Sequence, residues 1–331
     1  MAKAEHAVSI PSVRWPFLHV MNDRGESLGW SILSGPLRTR ADVTMYHELR
    51  RSVRFIGFTS YMTFPAVQEG LVTSYAQLCD GWCHCFRDPS SYIPSGLPQT
   101  LISESDFIDP QQIRPDSSSS ASTAKKFDFI YVCMPGWWKE MTKNWALTKR
   151  CLYHLCYDLD LKGLLVGRST ICDLPFRRNL TVEGILPRRT LFERFSVSRM
   201  LFLPSQIDAS PRVLTEALCM NIPVLANQNI LGGWKYINDA TGTYFNTEDD
   251  VAEAAIRCLE QSAYPRRWFR NHFGPARSTR RLRAFLRTLD PAIPQVEIMR
   301  LSRGAGTLTR PPRCQAGDSE VLRANDRPRL A

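Results

Sequence analysis

Four runs between residues 127 and 227 are apolar at nearly every position: FDFIYVCM (127–134), GLLVG (163–167), RMLFLPS (199–205) and IPVLAN (222–227). A strand with one wet face alternates polar and apolar side chains, whereas a strand covered on both faces does not. Helical patterns fall between the runs. NWALTKRCLYHLCYDL places Trp145, Leu147, Cys151, Leu152, Leu155 and Cys156 near helical spacing, and PRRTLFERFSVS opens with Pro187 in a helix-start position. RVLTEALCM (212–220) reads as a further helix, LTVEGIL (180–186) as a short strand and turn, and TGTYF with an acidic-capped helix over 247–262 closes the unit. Strands alternating with helices predict a parallel sheet covered on both faces. In such sheets ligands sit at the carboxyl ends of the strands, which directs attention to the loops after Met134, Gly167, Leu186 and Ser205.

A chain of 331 residues is long enough for two domains, each with its own core. Four zones are expected: an α/β domain over 1–114, a linker over 115–126, a parallel-sheet domain over 127–290, and an Arg/Pro-rich disordered tail over 291–331. In the first zone SVRFIGFTSY reads as a strand ending before Phe64, YAQLCDGWCHCF as a helix leading into a strand, and TLISESDF as a short strand. The tract DSSSSASTAKK has no apolar period and so reads as loop or hinge.

Composition narrows the function. Hydrophobic residues at 44% and charged residues at 22% exclude a fibrous or mainly disordered chain. No run approaches about 18 apolar residues, so a spanning helix is not expected. The first residues lack an apolar signal core, and cytoplasmic localisation with reduced thiols is expected for the ten cysteines. The net charge of +10 belongs entirely to the end of the chain: from Arg266 onward there are fifteen Arg, no Lys and five acids, while the remainder balances. Such a segment implies weak contact with anionic surfaces, RNA and lipid headgroups included. Cys79, Cys83, His84 and Cys85 invite a zinc reading, but adjacent Cys-His-Cys is poor spacing for a tetrahedral site, and no metal is expected.

The chemistry concentrates in FLPSQIDASPRVLTEALCMNIPVLANQNILGG. Asp208 lies in a strand-end loop and Glu216 inside the following helix, with seven residues between them. The orphan N–H groups at that helix start, together with its dipole, make an anion site suited to a diphosphate. A carboxylate at Glu216 can accept from two vicinal hydroxyls, as on a ribose. On spacing alone the group reads equally well as a loop acid, a helix acid and a neutralising Arg212.

This stretch resembles the donor-sugar half of the retaining GT-B glycosyltransferases of the "glycosyltransferase group 1" (family-4-like) type. The matching features are Asp208-ASPRVLT-Glu216, a helix, and the strand Pro223-Val224-Leu225-Ala226. The resemblance spans roughly 127–289. It implies a GT-B-like α/β fold, with a C-terminal Rossmann-like domain and a shortened N-terminal α/β domain. It implies a hexosyltransferase-like activity moving a sugar from a nucleotide-diphosphate sugar to a sugar, lipid or protein acceptor, with retention of configuration and without a metal or other cofactor. By the same resemblance Glu216 is the ribose-binding acid and Asp208 contacts the transferred sugar. Ser210, Arg212, Val213 and Leu214 lie in the segment that holds the diphosphate. Gly184 and Leu186 belong to the turn that meets the nucleobase, and Asn229 through Gly233 to a loop lining the pocket.

The departures are local. The family's first donor-domain strand usually ends in Gly-Arg, and here it ends Cys133-Met134-Pro135-Gly136. Lys143 matches the Lys that follows, Lys139 is a weaker candidate, and Arg168 is the expected substitute for the missing cation. Asn144-Trp145 replaces a Lys-Gly step. Breaking a sugar–diphosphate bond builds negative charge on the leaving phosphate, which fixed cations and helix N–H groups stabilise without a metal. His84, the loop Tyr61-Met62-Thr63-Phe64 and the pair Trp137-Trp138 are candidates for acceptor or base contacts and equally for ordinary packing. A second reading is a non-catalytic nucleotide- or RNA-binding protein that retains the donor-domain fold.

Overall fold

The computed structural model describes residues 9–115, 124–168, 174 and 178–308. The chain begins with β1 (Ser9–Ile10), β2 (Phe17–Met21), β3 (Glu26–Leu33), α1 (Arg40–Arg50), β4 (Arg54–Phe58), β5 (Trp82–His84) and β6 (Gln99–Leu101). It continues through β7 (Phe127–Val132), α2 (Trp137–Thr142), α3 (Trp145–Tyr153), β8 (Gly163–Val166), β9 (Leu180–Glu183), α4 (Arg188–Ser196) and β10 (Ser198–Leu203). There follow α5 (Arg212–Cys219), β11 (Val224–Asn227), β12 (Gly242–Phe245), α6 (Val251–Glu260), α7 (Pro265–His272), α8 (Pro275–Leu289), β13 (Arg300–Ser302) and β14 (Gly306–Leu308).

Two compact units result, and their boundary differs from the one expected at the Ser-rich tract. The first comprises Met1–His84, Asp88–Leu101 and Thr279–Ala331; the second comprises Cys85–Arg87 and Ile102–Ser278. Most of the expected linker, 116–123, lies outside the described residues.

In the first unit β3, β4, β5 and β6 run parallel in that order, with β2 antiparallel to β3. Trp30, Ile32, Phe55, Phe58 and Trp82 on these strands are fully buried or nearly so. α1 starts on a capping box, with Thr39 and Asp42 satisfying each other's backbone N–H. The expectation of a disordered tail from 291 fails for 291–308. β13 pairs antiparallel with β2, and β14 pairs with the start of β3 and with β1. These strands are three residues each and lack a recognisable period; sheet pairing, not local pattern, orders them. Residues 309–331 lie outside the described set.

The second unit carries the sheet order β12-β11-β10-β7-β8-β9, parallel throughout. The doubly apolar strands explain it. On β7, Ile130 packs with Leu201, Leu203 and Val224 under α4, α5 and α7, while Phe129 and Tyr131 pack on the opposite face with Phe202 under α3 and α6. Each strand thus buries alternate side chains on opposite faces. Two local expectations shift: the run 144–159 ends as α-helix at Tyr153 and finishes in a π-turn, His154–Asp158, and Pro187 caps α4 from outside its first turn. Among the described residues no helix is long and apolar enough to cross a membrane.

Candidate functional site

β7 and β10 are neighbours in the sheet but first and fourth of its strands in chain order, so the winding reverses between them. The chain leaving β7 goes to α3 on one face, and the chain leaving β10 goes to α5 on the other. A crevice opens at the carboxyl edge of such a pair, the place where doubly wound sheets take ligands.

Lys143 and Asp208 face each other across that edge. Lys143 Nζ lies 2.5 Å from Asp208 Oδ2, with 18% and 15% of the two side chains exposed. Asn144 sets the lysine. Its backbone is left-handed (φ 53°), the conformation glycine adopts most cheaply and asparagine next. Its Oδ1 accepts from Leu147 N at 3.3 Å, and its Nδ2 donates to Pro204 O at 3.2 Å. Asn144 thus makes the left-handed turn and caps α3 with the same side chain. Tyr131 Oη, from β7, donates to Lys143 O at 3.2 Å.

Asp208 is held from its own loop and the next. Its Oδ1 accepts from Ser210 N at 3.3 Å, closing an Asx-type turn, and its carbonyl accepts from Gly232 N at 3.0 Å. Leu231 N donates to Gln206 O at 2.7 Å beside it. The glycine is obligatory: a Cβ on Gly232 would meet Ala209 O at 1.8 Å. Gly233 (φ 88°) then turns the chain over Pro211.

Glu216 is half-buried on α5, and Arg188 Nη2 donates to its Oε1 at 3.0 Å. Burial raises the carboxyl above its ordinary value, against the pull of Arg188, Arg212 and Lys143. Lys143 therefore acts electrostatically on both acids of the motif. Arg188, the first residue of α4, was not singled out by the sequence; its place four residues after Gly184 is the only signal. Arg212 is exposed at the start of α5, which has no side-chain cap.

The remaining sequence candidates fall in different places. Ser210 Oγ is 2.9 Å from Ser105 Oγ and accepts from Ser105 N at 3.2 Å, so the hydroxyl serves loop architecture. Val213 is half-buried, and Leu214 is core, with its N–H closed onto Pro211 O at 3.0 Å. Gly184 is exposed, and its carbonyl accepts from Gly167 N at 3.1 Å; Leu186 packs partly against the core under α4 and α5. Arg168 departs furthest from expectation. Its Nη1 bonds Glu140 Oε1 at 2.7 Å and its guanidinium lies 4.0 Å over the Trp145 ring. No hydrogen bond or ion pair joins it to Asp208 or Glu216, since the short helix α2 offers a nearer carboxylate.

Further residues lie near the site, of which the sequence singled out Cys85 alone, and that only as a zinc candidate. Burial pushes the Cys85 thiol up to about 12, and the charges of Lys235 and Asp208 both reach it. Lys235 Nζ bonds the buried Asp106 Oδ2 at 2.7 Å, while Tyr236 Oη donates to the other oxygen. Arg87 donates to Gln228 O at 2.9 Å and lies over the Trp234 and Tyr244 rings, and Trp234 Nε1 donates to Cys85 O at 2.7 Å. Together they brace the 228–233 loop from behind. Among the described residues no three His, Cys, Asp or Glu side chains converge as a metal site would need.

No family model and no curated protein sequence matches the chain. Solved structures do. Anabaena HepE, solved with UDP and glucose, has a TM-score of 0.57 at 11% identity, covering 76% of this chain and 77% of that one. Sucrose-phosphate synthase from Thermosynechococcus elongatus gives 0.55 at 13%, covering 79% and 74%. TarM gives 0.53 at 12%, covering 72% of this chain and 51% of that one. The chain thus spans about half the length of TarM, and of the pneumococcal O-GlcNAc transferase GtfA. These neighbours are GT-B glycosyltransferases, and the fold of this chain is GT-B-like α/β with a Rossmann-like parallel sheet.

Proposed function

We propose that the chain is a glycosyltransferase that moves a sugar from a nucleotide-diphosphate sugar to an acceptor, with retention of configuration and no required divalent metal. The observation that carries this reading is the Lys143–Asp208 pair at the winding reversal, with Glu216 electrostatically coupled to the same lysine. Support also comes from the fold neighbours HepE and GtfA, both solved with UDP.

In this reading the diphosphate takes Lys143 from Asp208. The ammonium and the first N–H groups of α5, at Arg212 and Val213, face the charge that grows on the leaving phosphate. Arg212 adds a mobile cation at the rim. Asp208, released from the lysine, turns to the transferred sugar beside the anomeric carbon, where positive charge develops. Glu216 accepts from the ribose hydroxyls, and those bonds offset the cost of holding its charge out of water. Attack comes from the leaving-group face: the acceptor oxygen bonds the anomeric carbon as the sugar–phosphate C–O bond breaks, and its proton passes to the departing diphosphate oxygen, so configuration is retained. A sugar, lipid or protein hydroxyl serves as acceptor.

Calorimetric titration with UDP, GDP and ADP, with and without magnesium, tests the reading. Micromolar, metal-independent binding of one nucleotide that is lost in Glu216→Ala supports it; no binding by any of the three overturns it. One observation favours non-catalytic binding: Arg168 is committed to Glu140 and Trp145. Nucleotide binding without sugar release from any matching nucleotide sugar would select that alternative.

A further inference from the structure

α2 is a helix without a core side. None of its six residues is buried, and none joins either apolar core of the second unit. The backbone is fixed on both sides of it: Cys133 is fully buried just after β7, and Trp145 is buried at the start of α3, stacked on the Tyr131 ring. Between those anchors stand two residues with positive φ, Gly136 (110°) and Asn144 (53°), one at each end of α2. Glu140 ties the helix sideways through its ion pair with Arg168, and a pair whose carboxylate is a third exposed holds little.

The outer side of this segment is apolar. Trp137 is 75% exposed, Met134 and Met141 are exposed with it, and Ile185, at the turn after β9, is 62% exposed. Among the described residues the Trp137 side chain makes one ring contact, with neighbouring Trp138, and no hydrogen bond. The sheet order β10-β7-β8-β9 sets Asp208, Lys143 with α2, Arg168 and Ile185 in line along the carboxyl edge. Arg168 Nε is buried there with no hydrogen-bond acceptor, and the nearby Cys133 thiol, kept neutral by burial, is a poor one. A buried guanidinium donor left unmade favours any ligand that brings it an oxygen.

Building on the nucleotide-sugar reading of this edge, we propose that α2 is a lid that closes on the donor's nucleotide, with Trp137 as the side chain that covers it. A diphosphate bound at Lys143 meets Arg168 next along the edge and supplies the oxygen that Nε lacks. A phosphate there takes the partner of Glu140 and repels its carboxylate, so the ligand itself breaks the tie that holds α2 open. Gly136 and Asn144 absorb the backbone change. What drives closure is the exposed ring: Trp137 leaves water and lies on the ligand, whose base and ribose offer flat faces to receive it. Met134, Met141 and Ile185 lose water at the same step. The diphosphate is thereby shielded, which strengthens the hold of Lys143 on it.

The test is acrylamide quenching of tryptophan fluorescence in the full chain, with UDP, GDP and ADP as probes and calorimetry on the same samples. With the nucleotide that binds, quenching of the wild type is expected to fall, and the fall to be absent in Trp137→Phe. Trp137→Ala is expected to weaken that nucleotide about tenfold, the usual worth of one aromatic stack. Its melting temperature stays that of the wild type, because the ring has no core to leave. Glu140→Gln is expected to tighten binding about threefold, the size of a partly exposed ion pair that no longer competes for Arg168. Ile256→Ala, exposed on α6, is the control and binds as the wild type does. Nucleotide binding with quenching unchanged overturns the lid and leaves the donor site standing. Equal affinities of Trp137→Ala and the wild type, or weaker binding by Glu140→Gln, do the same. Absence of binding by all three nucleotides overturns the donor reading and the lid with it.

Discussion

Asn144 and Pro204 are joined by a 3.2 Å hydrogen bond, side-chain amide to carbonyl, that ties the start of α3 to the end of β10. That one bond joins the segments that follow β7 and β10, the two strands at the winding reversal, and the residue beside Asn144 is Lys143. The left-handed backbone of Asn144 makes the arrangement testable. Asn144→Gly keeps the turn and loses the cap, worth a few tenths, and the tie to Pro204, and is expected to cost about 1 kcal/mol in all. Asn144→Ala loses all three and is expected to cost about 2–3 kcal/mol, from left-handed strain plus the lost cap. Urea unfolding of both variants checks the order, and equal costs would remove the strain argument.

Lys143→Met preserves length and removes charge. The expected outcome is a fall in kcat/KM of about a hundredfold, the usual cost of losing one preorganised group aimed at developing charge. Asp208 is then left without its ion-pair partner, so Lys143→Met/Asp208→Asn is expected to be more stable than the single change. Steady-state kinetics and thermal melts on both variants read the two effects separately.

Glu216 gives a pH prediction whose sign follows from its raised carboxyl. The folded protein binds the proton more tightly than the unfolded chain, so stability falls as pH rises through the unfolded carboxylate value of about 4.5 and levels off above the folded value. Glu216→Gln removes that cost. Its melting temperature is expected to exceed the wild type at pH 7 and to converge with it near pH 4. Nucleotide binding moves the other way, weakening about ten- to a hundredfold with the loss of charge-assisted hydrogen bonds. A variant less stable at pH 7 would contradict the assigned cause.

Gly232→Ala places a methyl group against the Ala209 carbonyl, and backbone is the least yielding partner such a contact can have. A destabilisation of about 1–3 kcal/mol is expected, with nucleotide affinity falling as the Asp208 loop separates from the 228–233 loop. Gly184→Ala, where a Cβ meets nothing within 4 Å, is the paired control and is expected to unfold like the wild type. The two denaturation curves, measured side by side, decide it.

Breaking the buried Asp106–Lys235 pair by Lys235→Met leaves an uncompensated charge beneath the site. A loss of about 3–5 kcal/mol is expected, partly recovered in Asp106→Asn/Lys235→Met. Chemical denaturation of the two variants measures the recovery, and none at all would mean that the pair is not coupled.

The parallel sheet of the second unit was legible because Phe129, Ile130 and Tyr131 are all apolar, and only a strand covered on both faces needs that. Lys143 and Asp208 were singled out through the family resemblance, spacing alone leaving the acids open, and the structure brings the two side chains together. The ion pair of Arg168 was not legible, because sequence carries no sign that Glu140, 28 residues earlier, stands beside it. Lys235 and Asp106 were invisible for the same reason: their interaction is made by folding and leaves no local period. β13 and β14 escaped because three-residue strands are specified by the partner they join. Arg188 escaped because an exposed helix arginine looks like any other until Glu216 is placed beside it.

The pairing of β14 with β3 has a consequence for how the molecule is made. Nearly the whole second unit is one uninterrupted stretch, Ile102–Ser278, and is complete in the nascent chain before most of α8 has been made. The first unit begins earlier and finishes later, because its sheet receives strands from residues 300–308. During synthesis the early strands therefore wait with edges open while the second unit's sheet folds ahead of them. A stop codon placed between α8 and β13 would spare the Lys143–Asp208 pair and leave the other sheet unfinished.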